Sequence, residues 1–147
     1  MRHTTTRSAR RTTTAILAAL AVLTLGSGCN VNDSPQEREE SNAIAADIQE
    51  TLAQRPDVVQ VKVNYQNNFN ASAQASVTIT VTPGSDVEPV IEEATRLIWL
   101  SKLHPLSIIS IAANEAEAQQ RGVDRDIDPN GTDKAELERK YGPRPPR

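Results

Sequence analysis

The chain is poor in the residues from which catalytic and metal sites are usually built. Its 147 residues include one cysteine and two histidines, too few for a zinc cluster or an intrachain disulfide framework. It has no Gly-rich phosphate loop and no HExxH helix. Its length fits one domain and excludes a large enzyme fold such as a barrel or a doubly wound sheet. Its longest apolar run, Ala15 to Leu25, rises about 16 Å as a helix, roughly half a bilayer core. A stable spanning anchor is therefore not expected from that run.

What is present begins with a basic start, Arg2, Arg7, Arg10 and Arg11, with no acidic residue before Asp33. The apolar run follows, and then Gly26, Ser27, Gly28 and Cys29. A positive region, a short greasy core and small residues near a cleavage point make a secretory signal. The single cysteine after small residues resembles the lipobox of bacterial lipoproteins. Gly28 and Ser27 match the small residues before the cysteine; Gly26 departs from the usual aliphatic residue, and Leu25 stands one position too early. The resemblance covers the first 29 residues. It implies cleavage before Cys29, a diacylated thiol and an often acylated new N-terminus (palmitate being one such chain). The implied location is the outer face of the bacterial cell membrane.

The division expected from this reading is a signal peptide over 1–28, an acylated cysteine and polar tether over 29–41, a folded domain over 42–114, and a charged, largely disordered tail over 115–147. Removing the four arginines of the signal from the sixteen basic residues leaves twelve against nineteen acidic ones, a side-chain balance of −7. Such a surface repels nucleic-acid phosphates. The partners implied are the membrane, through lipid on Cys29, and an envelope protein.

Within the tether, Ser34-Pro35-Gln36-Glu37 has the form of a capping box with proline at the first helical position, and a helix can run from there to Arg55. Its apolar stripe, Ile44, Ile48 and Leu52, starts late. The period then changes. Val59, Val61, Val63 and Tyr65 alternate with polar residues, as do Ala73, Ala75, Val77, Ile79 and Val81, which predicts a hairpin of two half-buried strands. Asp86 to Leu103 reads as the main helix, with Val87, Val90, Ile91, Ala94, Leu97, Ile98 and Ser101 inward, and Leu106 to Ala113 as a third strand. Helix, strand, strand, helix, strand makes a small α+β two-layer open-faced sandwich, a ferredoxin-like fragment, with strand order 2-1-3 preferred. From Glu115 onward few aliphatic residues remain to offset the entropy of ordering, although Asp133 to Tyr141 can form a short helix.

The search for chemistry returns no catalytic residues, no cofactor motif and no enzyme. His104, the only histidine after the signal, sits before the helix-breaking Pro105 and reads as a helix-terminal surface residue. Two weaker features stand out. Asp126, Asp128 and Asn130, with Gly131, resemble the start of an EF-hand loop, a weak candidate for metal, but Leu137 stands where the bidentate Glu belongs. Trp99, Leu100 and Leu103 fall on the helix face expected to be wet and are the candidate partner contact. The leading reading is a lipid-anchored extracytoplasmic binding or scaffolding protein. The alternatives are a ligand- or calcium-binding lipoprotein, for which two thin layers leave little room for a ~300 Å³ pocket, and an envelope structural protein that self-associates through the uncharged second strand.

Overall fold

The computed structural model describes residues 33–68 and 71–146, so Cys29 and the signal segment expected before it lie outside the described residues. The elements are α1 (Pro35–Ala53), β1 (Val58–Asn68), β2 (Ala71–Val81), α2 (Glu88–Trp99), β3 (Ile108–Glu115), β4 (Ala118–Ile127) and α3 (Lys134–Tyr141). The result is a small α+β domain of three helices and an open four-stranded mixed sheet.

The helix starts are local in origin. Ser34 Oγ accepts the Glu37 amide and the Glu37 carboxylate accepts the Ser34 amide, so two otherwise unsatisfied N–H groups are paired reciprocally. This starts α1 at Pro35, so of the residues expected to form a polar tether, 35–41 are helical. The first two turns are largely exposed; from Ser41 the helix buries Ala45, Ile48 and Leu52. In α2, Pro89 stands in the first turn, where its missing N–H has no intrahelical partner to lose.

The sheet order is β1-β2-β3-β4, with β1/β2 and β3/β4 antiparallel and β2/β3 parallel. The expected order 2-1-3 is overturned: β3 lies beside β2. Strand β2 is therefore interior, which accounts for its lack of charge and proline, because a strand paired on both sides needs no protection against edge pairing. Self-association through a β2 edge loses its basis. The true edges are guarded differently. On β1 the Gln49 side chain of α1 accepts the Val63 amide at 3.0 Å, and β4 carries Asp124, Arg125 and Asp126.

The expectation of a disordered tail over 115–147 is also overturned, since β4 and α3 both lie there. In β4, Val123, Arg125 and Ile127 stand opposite Ala113, Ile111 and Ile109 and so share their inward face. An arginine in the middle of that face interrupts the apolar alternation by which strands are read. Its long side chain runs to α2, where both guanidinium donors meet the Glu88 carboxylate at 3.1 Å. The short helix α3 matches its expected range and buries Leu137. The core lies between the helices and one sheet face and includes Leu52, Ile79, Ile91, Ile98, Trp99 and Ile109.

Candidate functional site

The helical angle of Trp99 predicts an exposed indole, yet Trp99 is 1% exposed and Leu103 is fully buried. Two features correct the expectation. First, α2 stops at Trp99, so Leu103 is not held at a helical angle and turns into the core, while Leu100 is half-buried against it. Second, the segment after α3 lies over the indole. Trp99 Nε1 donates to the Gly142 carbonyl at 2.9 Å, the Arg144 guanidinium sits 6.0 Å from the ring centroid, and Arg144 also donates to the Leu103 carbonyl. His104 Nε2 stands 3.2 Å from the Pro145 carbonyl oxygen. The three residues form part of a core closed by the chain's own strap, not an outward contact patch. Burial lowers the Arg144 pKa from its ordinary value, as expected where a charge loses water.

The EF-hand-like triad also resolves into local structure. Asp128 Oδ1 accepts the amides of Asn130 (3.0 Å) and Gly131 (2.9 Å). The Asp128 amide donates to Asp133 Oδ2 at 2.7 Å, and Asn130 Nδ2 donates to the Leu106 carbonyl at 2.7 Å. These bonds form an Asx-type turn that fastens the β4–α3 connection. Asp126 is spent differently, as acceptor of the Ser110 hydroxyl on the neighbouring strand. A Cβ on Gly131 would lie 2.2 Å from Asp128 Oδ2, so glycine is required for the carboxylate to reach the turn. Among the described residues no group of three or more His, Cys, Asp or Glu side chains is placed to hold a metal ion.

The concavity that sequence reasoning missed lies where β4 and α3 join α2. A groove of about 290 Å³ has Thr95, Ile127 and Leu137 among its lining, with Glu92, Arg125 and Lys140 among the charged groups around it. Two expected layers left no space for it; α3 supplies the added wall. Much of its charge is already engaged. Lys140 Nζ stands 3.6 Å from Glu92 and 3.8 Å from Glu136, Arg125 binds Glu88, and the Thr95 hydroxyl donates to the Ile91 carbonyl at 2.8 Å. Burial first, and then Glu92, push the Tyr141 hydroxyl pKa up. The groove offers a mixed polar and apolar surface.

Elsewhere the charges act as braces. Arg55 grips Asp57 through two bonds of 2.9 and 2.6 Å, and Arg96 grips Glu93 through bonds of 2.9 and 2.7 Å. Hydrogen bonding from each guanidinium holds its carboxylate below the usual range.

The sheet face opposite the core is polar and partly exposed. Across it run registered rows such as Lys62–Thr78–Ala112–Asp124 and Asn64–Ser76–Ser110–Asp126. No protein-family model, curated protein or solved structure matches the chain.

Proposed function

We propose that this chain is a lipid-anchored extracytoplasmic protein that serves as a binding or scaffolding module on the outer face of a bacterial membrane. The observation that carries the reading is Cys29, the single cysteine, placed directly after a basic start, the Ala15–Leu25 run and small residues. Two acyl chains anchor stably where one binds only marginally, so no basic patch is needed. A side-chain balance of −7 after the signal opposes nucleic acid and anionic headgroups alike, so attachment rests on the lipid alone. The absence of any acid–base or nucleophilic pairing along the sequence favours binding over catalysis.

The test is direct. Cys29→Ala is expected to move the protein out of the membrane fraction or to block its maturation, and mass spectrometry of the natural N-terminus is expected to find acylated Cys29. An unmodified terminus at another residue sinks the reading. A second reading, a lipoprotein that holds a small polar ligand, is favoured by the groove between α2, β4 and α3. Amide shifts confined to Thr95, Ile127 and Leu137 in a screen of small polar metabolites would support it; shifts elsewhere, or none, count against it.

A further inference from the structure

We infer that the free edge of β4 is the surface through which this module binds. Its occupant is an extended segment of another protein, added as a fifth strand with a basic side chain at every second position. This rests on the binding reading proposed above, for which it supplies the surface and the chemistry of the partner.

Strands β1 and β4 are the outer strands of the sheet, and an outer strand turns the N–H and C=O groups of every second residue away from its neighbour. On β1 part of that edge is already used, because Gln49 of α1 accepts the Val63 amide at 3.0 Å. Between Gly122 and Ile127 of β4, by contrast, the main chain shares no hydrogen bond with any element other than β3 among the described residues. The groove of about 290 Å³ runs along this edge and is lined by three successive residues of β4, Arg125, Asp126 and Ile127. Successive side chains of a strand point to opposite faces, so a groove that touches all three lies beside the strand and not over one face. Its far wall includes Leu137 and Tyr141 of α3 and Thr95 of α2. A chain laid beside β4 meets main-chain groups on one side, and every second side chain turns toward Ile127 and Leu137.

Charge selects the occupant. Asp124 and Asp126 are exposed on the sheet face opposite Ile127, and the Asp124 carboxylate enters no ion pair or hydrogen bond among the described residues. A second copy of the chain is disfavoured. Two-fold antiparallel pairing of β4 with itself, centred on Asp124, Arg125 or Asp126, sets an aspartate opposite an aspartate, and like charges directly opposite are destabilising. Around the groove stand the carboxylates of Glu92, Asp126, Asp133 and Glu136. The two cations among them are engaged: Arg125 is paired with Glu88, and Lys140 lies between Glu92 and Glu136. A segment in which lysine or arginine alternates with an aliphatic residue suits both faces. Its cations meet Asp124 and Asp126, and its aliphatic side chains meet Ile127 and Leu137. The aspartates that oppose self-pairing thus favour a basic partner.

The probe is a seven-residue peptide of alternating lysine and valine, capped at both ends and titrated into residues 30–147, which contain the whole described fold. Amide shifts are expected at Gly122 to Ile127 and at Leu137. Asp124→Asn with Asp126→Asn is expected to weaken binding roughly 3–30-fold, the worth of two opposite-charge cross-strand pairs. Glu39→Gln with Glu40→Gln, the same change of charge on the exposed start of α1, is expected to leave binding unaltered. A peptide methylated on every backbone nitrogen is expected not to bind, since it cannot complete the ladder. No shifts at millimolar peptide, shifts spread over the acidic surface, equal weakening by both double variants, or undiminished binding of the methylated peptide each overturns strand addition at β4. Broadening of the same amides with protein concentration, without peptide, would make a second copy the occupant and overturn it likewise. No lipid is involved, so an unacylated natural N-terminus removes the anchor and leaves the β4 result standing.

Discussion

The indole nitrogen of Trp99 donates to the carbonyl of Gly142, 2.9 Å away, and so ties the last turn of α2 to the strap that follows α3. The bond satisfies the polar atom of a side chain that is otherwise buried, where an unpaired donor would cost about 1–3 kcal/mol. Trp99→Ala is expected to destabilise the domain by about 3–5 kcal/mol, measured by chemical denaturation. A loss of only a few tenths would return Trp99 to the surface. Because Trp99 is the only tryptophan, its emission reports the strap directly, and ending the chain after Tyr141 should shift that emission to the red.

The Asp128 turn leads to a paired expectation. Gly131→Ala forces a Cβ against the Asp128 carboxylate and should cost about 1–3 kcal/mol, the range for steric overpacking. Calcium should do little, since Asp128 and Asn130 are engaged in the turn and no Glu stands at the twelfth loop position. Dissociation constants no tighter than roughly 1 mM are expected. Calorimetry on residues 30–147 measures this, and micromolar binding abolished by Asp126→Ala would contradict it.

The braces set an acid limit. Asp57 and Glu93 have folded-state pKa values below their ordinary ones, so the folded state binds fewer protons than the unfolded chain across that interval. Their contribution is complete above the unfolded carboxylate value, roughly pH 4, and fades as pH falls through the lower folded values. Both pairs are partly exposed, which limits each to about 1 kcal/mol or less. Asp57→Asn with Glu93→Gln should lower stability at pH 7 and flatten its decline below pH 4. An unchanged acid slope would assign that decline to other carboxylates.

Legibility in the sequence followed periodicity. The hairpin of β1 and β2, the inward stripe of α2 and the capping box at Ser34 each rest on a local pattern and stand largely where it places them, except that Val59, expected inward, is 58% exposed at a register shift in β1. Strand β4 has a weaker pattern because Arg125 occupies an inward position, and its charge makes sense only once Glu88 of α2 is known to lie within reach. The strand order was equally hidden. Whether β3 pairs with β1 or β2 depends on contacts between distant segments, although the uncharged run from Ala71 to Thr82 was a readable sign of an interior strand. Periodicity turns Trp99 toward water, but the strap that covers it comes from 43 positions away.

The last prediction concerns independent folding. The alternation of residues 42–114 suggests a domain complete at Asn114. In the structure, Ile109 and Ile111 of β3 pair with Ile127 and Arg125 of β4, and Trp99 is bonded to the strap beyond α3. Ending the chain after Glu115 would turn β3 into an unprotected edge and uncover the indole. The lost burial includes Ile127 and Leu137, each worth about 1.5–3 kcal/mol when fully buried, besides the cover over Trp99. That sum is a large part of the 5–15 kcal/mol available to an ordinary domain. Residues 30–115 alone should therefore lose cooperative unfolding and associate through the β3 edge, whereas residues 30–147 should unfold in one transition. Circular dichroism melts and light scattering on the two proteins decide the matter. A monomeric, cooperatively melting 30–115 fragment would show that β4 and α3 are additions to a finished core and not parts of it.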